Sequence, residues 1–238
     1  MAVGLAELNE FWALINEVGI YAQEDLVAIF SRMRGMSTDQ AWAYLSASAP
    51  EVATMWRASV VDLATLFYAE TQAIAVDREV AAFARVLNSE QFEESLRWAF
   101  FSEKNTSPLS AASGLLDRTV TDGARAYGVA SMGKTKTTFM RAAQPNACAF
   151  CRMLAGNEYT SVESAFYVGY ATKKKTTKRK RGEQFHDHCR CQAVKTTEYE
   201  IPDYVGDWMD QYEEARKGTR GDTSQILANM RTISGNAH

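Results

Sequence analysis

The chain has 238 residues, 46% of them hydrophobic and 23% charged, with a formal net charge of −3. That composition supplies a buried core and describes a globular chain of one or two domains. No apolar run approaches the roughly 20 residues a membrane-spanning helix needs, so no membrane partner is expected.

The small net charge hides a segregation. Lys173, Lys174, Lys175, Lys178, Arg179, Lys180 and Arg181 place seven positive charges within nine positions, which leaves the remainder of the chain at −10. Such a run reads either as a solvated loop or as a contact to the phosphates of double-stranded DNA, strong at low salt and blind to base sequence. No aromatic residue interrupts it, so base stacking is not expected.

In chain order, Leu5, Leu8, Trp12, Ile15 and Val18 recur at helical steps, continued by Leu26, Ile29 and Phe30, and predict a helix to about Met33 that stops at Gly35. Ser37 to Gln40 offers a cap for a short second helix ending near Pro50. Pro50 then suits the first turn of a third helix reaching Glu70, with Met55, Trp56, Val60, Leu63, Leu66 and Phe67 inward and Arg57, Ser59 and Asp62 as polar interruptions. One further helical pattern covers Arg78 to Phe101, with Val80, Phe83, Val86, Leu87, Phe92, Leu96 and Phe100 as core candidates. Leu109 to about Tyr127 is helical again, and Gly128 and Gly133 are expected to loosen the chain.

Thr135 to Ala143 has strand character and leads to the turn Gln144 to Asn146. A short helix opens at Cys148 and stops at Gly156 and Asn157. Extended chain is expected near Tyr159 and again over Phe185 to Val194, where Cys189, Cys191 and Ala193 share one strand face. The basic run reads as the loop between these pieces. An amphipathic helix from Tyr204 to Arg216 and a short last helix around Ile226, Leu227 and Met230 close the chain, and the end, with His238, is expected to fray. The fold class is therefore α+β: a long-helix N-terminal region (1–134), a small α+β module clipped by a Cys/His cluster (135–197), and a C-terminal helical tail (198–238).

All four cysteines fall between residues 148 and 191, as Cys148 with Cys151 and Cys189 with Cys191, and His186 and His188 flank the second pair. Thiolates and imidazoles are the ligands of structural zinc, and a Cys-x-x-Cys turn supplies two of the four a closed tetrahedral site needs. The metal set is Cys148, Cys151, His186 and Cys189, with Cys191 able to replace Cys189. Two disulfides are the alternative for an even cysteine count. The start of the chain, Met1 to Leu8, lacks a basic segment followed by an apolar run, so a reducing compartment is expected instead. A catalytic reading needs a nucleophile with a base, and Cys with His is available; a catalytic zinc with Glu183 or Asp187 as base is conceivable too. Every cysteine nevertheless sits in ligand-like spacing, and no Gly-x-Ser-x-Gly elbow occurs.

The stretch Cys148-Ala-Phe-Cys151 through Gly156, followed by Phe185-His-Asp-His-Cys-Arg-Cys191, resembles the C-terminal signature of MuF-like minor capsid (head morphogenesis) proteins of tailed bacteriophages, in particular of actinobacterial phages. Trp56 to Glu70 is similar to that family's N-terminal helices and Trp208 to Arg216 to its tail. His186, Cys189 and Cys191 match the second motif, whereas His188 is only a frequent companion there, and the basic run departs from the family in content. The resemblance implies a low-copy structural protein of the capsid interior, assembled in the host cytoplasm, with the portal protein, the inner capsid shell and the packaged DNA as partners. Some relatives of this kind are instead identified as capsid maturation proteases, which makes a protease the alternative function.

Overall fold

The computed structural model describes residues 2–103, 107–133, 135–162, 165 and 191–235. Long helices dominate: α1 (Leu5–Arg32), α2 (Thr38–Gln72), α3 (Arg78–Arg85), α4 (Ser89–Phe101) and α5 (Pro108–Met132) precede a small sheet, and the fold is α+β as the order of predicted elements suggested. The sheet is formed by β1 (Phe139–Ala142), β2 (Glu158–Tyr159) and β3 (Gln192–Lys195), with α6 (Ala149–Ala155) between β1 and β2. After a 3-10 turn (Thr196–Glu198) come α7 (Asp203–Arg216) and α8 (Thr223–Ser234).

Helix α1 follows its predicted stripe, with Leu8, Trp12, Ile15 and Leu26 buried. Helix α2 begins where Ser37 caps it: the Ser37 hydroxyl accepts from the Gln40 amide, and the Gln40 side chain accepts from the Ser37 amide. It then continues straight through Pro50, where two helices were expected. Ala41, Leu45, Ala49, Ala53 and Arg57 are all buried at four-residue steps across that point. Burial of this one stripe against α1 and α5 offsets the roughly 3 kcal/mol that an internal proline costs.

The pattern from Arg78 to Phe101 is two helices, not one. The chain leaves helical geometry at Val86, and Asn88 starts α4 by accepting from the Gln91 amide at 3.2 Å. The break turns Phe83 and Val86, both core candidates, outward to 69% and 66% exposure, while Phe92 and Leu96 are buried as expected. Met55 and Leu66 on α2 are exposed as well. Gly128 does not loosen the chain: it lies inside α5, where a Cβ would meet the Tyr68 hydroxyl at 2.5 Å, so its missing side chain lets Tyr68 cross closely.

The sheet is antiparallel in the order β2-β1-β3, with Met140 opposite Glu158 on one side and Arg141 opposite Ala193 on the other. β3 docks its outer edge on α2. The Lys195 amide donates to the Gln72 side-chain carbonyl at 2.6 Å, the Gln72 amide donates to the Glu198 carbonyl, and Tyr68 donates to the Ala193 carbonyl at 3.1 Å. Gln72 thereby pairs a backbone group that an edge strand would leave open. The N-terminus joins here too, since the Val3 amide donates to Glu198 and Val3 accepts from the Glu200 amide. One buried cluster runs from Val3 and Leu8 through Phe67, Tyr127 and Phe139 to Val194 and Trp208.

Candidate functional site

The predicted site residues divide between described and undescribed chain. Cys148, Cys151 and Cys191 are described; His186, His188, Cys189 and the run Lys173 to Arg181 lie outside the described residues, as does His238. β1 ends at Ala142, the Ala147 amide closes the turn by donating to Gln144, and Cys148 follows in extended geometry as the residue that precedes α6. Cys151 is in the first turn of α6 and is buried. The Cys-x-x-Cys spacing thus straddles a helix start, as the sequence predicted.

Cys191 arrives from the opposite direction. The β1–β3 register pairs Ala142 with Gln192, and one further step sets Cys191 beside Ala143, at the end of β1 from which the chain turns towards Cys148. Its carbonyl accepts from the Arg125 guanidinium at 3.4 Å. Cys191, Gln192, Ala193 and Val194 are all buried, so both alternating faces of this strand are covered, and α5 is among the elements that pack on it.

Tyrosines surround the Cys191 end of the sheet. Burial raises the pKa of Tyr159, Tyr199 and Tyr204, and a charge on Cys191 would raise each further; Tyr204 is pushed up to about 12. Tyr204 donates to the Ala143 carbonyl and Tyr159 to Leu154, at 2.9 Å each. The Tyr199 hydroxyl is buried without a hydrogen-bond partner among the described residues.

The C-terminal helices hold α6 in place. Ala149 is buried in a small cluster with Ala215, Ile226, Leu227 and Met230, and Phe150, Met153 and Tyr212 pack against it. Arg152 lies 5.4 Å over the Trp208 ring and donates to the Ala147 carbonyl, which ties α7 to the turn that carries Cys148. The tail therefore packs on its own chain.

Three buried cations went unrecognised in the sequence. Arg57, placed among polar interruptions of the third helix, donates to Ala84 at 2.9 Å and to Thr119 at 2.7 Å, joining α2 to α3 and α5. Arg125 pairs with Asp122, and Arg141 donates twice to the Ala165 carbonyl. A polar residue on a buried helical stripe was the available signal, and only tertiary contacts supply the carbonyls that make it tolerable.

Among the described residues no three His, Cys, Asp or Glu side chains converge in a way that could hold a metal ion. The described chain places Cys148 and Cys151 on either side of one helix start, with Cys191 at the neighbouring strand end.

A family model described as VG15 protein matches residues 4–215, from the start of α1 to the last turn of α7. The chain belongs to the VG15 protein family. VG15 proteins are viral gene products, and the chain is a phage protein. No curated protein and no solved structure matches it. Among the described residues of this VG15 protein no helix is long and apolar enough to cross a membrane.

Proposed function

We propose that this VG15 protein is a minor capsid (head morphogenesis) protein of the MuF-like type. It sits inside the phage head after assembly in the host cytoplasm, with its helical region against the portal protein and inner shell. The observation that carries this is the phage-family match, which spans the long helices and the entire Cys/His stretch in one continuous segment. The role is structural, without a catalytic step of its own.

Zinc, when bound, contributes folding energy by holding two distant pieces of chain together. Cys148 and Cys151 grip it from the α6 turn, His186 and Cys189 complete the set, and Cys191 substitutes for Cys189. The Lys173 to Arg181 segment faces packaged double-stranded DNA through phosphate contacts.

Mass spectrometry of purified particles tests the location. A few copies per head, co-purifying with portal protein and protected from added protease until the head is opened, are expected; absence from particles overturns the proposal. Elemental analysis tests the metal, with about one zinc per chain expected and lost together with folded structure on chelation. Capsid and scaffold proteins incubated with the purified chain should stay intact, and their cleavage would reinstate the protease alternative.

A further inference from the structure

Helix α4 has two unlike faces. Phe92, Leu96 and Ala99 are buried against α5 and α2, whereas Glu90, Glu94, Arg97, Trp98 and Phe101 form the outward face at three- and four-residue steps. Trp98 is 58% exposed and Phe101 44%. The Arg97 guanidinium lies 5.7 Å from the Trp42 ring centre and 5.4 Å from that of Phe101, so two rings fix its orientation. No carboxylate among the described residues pairs with it, although Glu94 stands three positions away on the same helix. Glu90 and Glu94 make no ion pair among the described residues either. A preoriented cation, two exposed aromatics and two carboxylates thus share one surface stripe, and Trp and Arg are the residues that dominate interface energetics.

The order of charge along this stripe identifies the occupant. Carboxylates come first, cation and aromatics second. Reversing the helix direction sets each half opposite its complement, while a parallel alignment sets like against like. We propose that this α4 face pairs with the same face of a second copy of the chain, the two helices running antiparallel about a two-fold axis near Leu96. Each Arg97 then meets Glu94 of the other copy, and the exposed rings of Trp98 and Phe101 lie along the other helix's first turns. An isologous contact makes the charge pair twice. Nucleic acid is a poorer occupant, because Glu90, Glu93 and Glu94 would repel its phosphates. A contact centred on one helix of this length stays below the roughly 1,200 Å² of standard stable interfaces and belongs with the small, transient class. The inference is independent of the capsid reading.

Sedimentation velocity of the full chain, over a concentration series through the micromolar range at moderate salt, tests it. A monomer–dimer equilibrium is expected. Arg97→Glu and Glu94→Arg should each weaken association at least about tenfold, because each places like charges opposite one another twice. An equimolar mixture of the two variants should regain association, since the chain with two carboxylates then faces the chain with two guanidiniums. Circular dichroism confirms the fold of each. Glu94→Arg leaves the Arg97 stack intact, and Trp98→Ala should weaken association without any change of charge, so the test survives misfolding of Arg97→Glu. A monomer throughout the series, association unchanged by Glu94→Arg and Trp98→Ala, or a mixture of folded variants that behaves like its separate components would each overturn the inference.

Discussion

Tyr68 and Gly128 are fitted to each other: the phenol is fully buried, tied to the Ala193 carbonyl, and passes where any side chain at position 128 would stand. Gly128→Ala should therefore destabilise the protein by about 1–3 kcal/mol in urea unfolding, as overpacking against an immobile ring does. Two tyrosines near Cys191 should respond oppositely to loss of their hydroxyls. Tyr204→Phe gives up the bond to Ala143 and should cost about 1 kcal/mol, whereas Tyr199→Phe removes a buried hydroxyl with no partner and should be neutral or stabilising. The same burial sets the alkaline limit. Tyr204 is pushed up to about 12, and burial also raises Tyr68, so between the ordinary tyrosine value near 10 and pH 12 the unfolded chain ionises first and binds fewer protons. Stability is complete below pH 10 on this account and falls as pH rises beyond it. Urea midpoints measured across that window should decline, with a shallower decline in Tyr204→Phe.

At the scale of elements, α6 is too short to persist unaided and depends on α7 and α8. Trp208 is buried under the Arg152 guanidinium, and Ile226, Leu227 and Met230 cover Ala149. Trp208→Ala should cost about 3–5 kcal/mol. It should also speed thiol labelling of the buried Cys151 in metal-free protein; an unchanged labelling rate would mean that α7 does not secure the turn. The elements also show where propensity loses. Pro50 reads as a helix start, yet the stripe from Ala41 to Arg57 is buried on both sides of it, and tertiary packing carries α2 through. At Val86 the opposite happens: hydrophobic periodicity continues, but the Asn88 cap stops one helix and starts another.

For the whole molecule, an acidic body with one basic segment should hold DNA only through that segment. Replacing Lys178, Arg179, Lys180 and Arg181 with Gln is expected to abolish salt-sensitive retention on DNA while leaving the urea midpoint unchanged. Retention that survives the substitution would show that this segment does not carry the DNA contact. The continuous core from the first helix to Trp208 joins the helices to the sheet, and Tyr68 and Gln72 tie α2 to β3 by hydrogen bonds to Gln192 and Lys195.

Local chemistry was legible in the sequence. Periodic apolar residues determined the buried face of α1, Ser37 with Gln40 determined the start of α2, and the spacing of Cys148 and Cys151 placed a helix start between them, because each of these depends on residues within one or two turns. The α+β class followed from the same signals. What needed the third dimension was every feature fixed by a distant partner: the survival of α2 through Pro50, the exposure of Phe83 and Val86, the burial of Arg57 and Arg125 on backbone carbonyls, and the arrival of Cys191 beside Ala143. Those outcomes are set by contacts made across tens of residues, and a helical or strand period carries no record of which face a remote segment will cover.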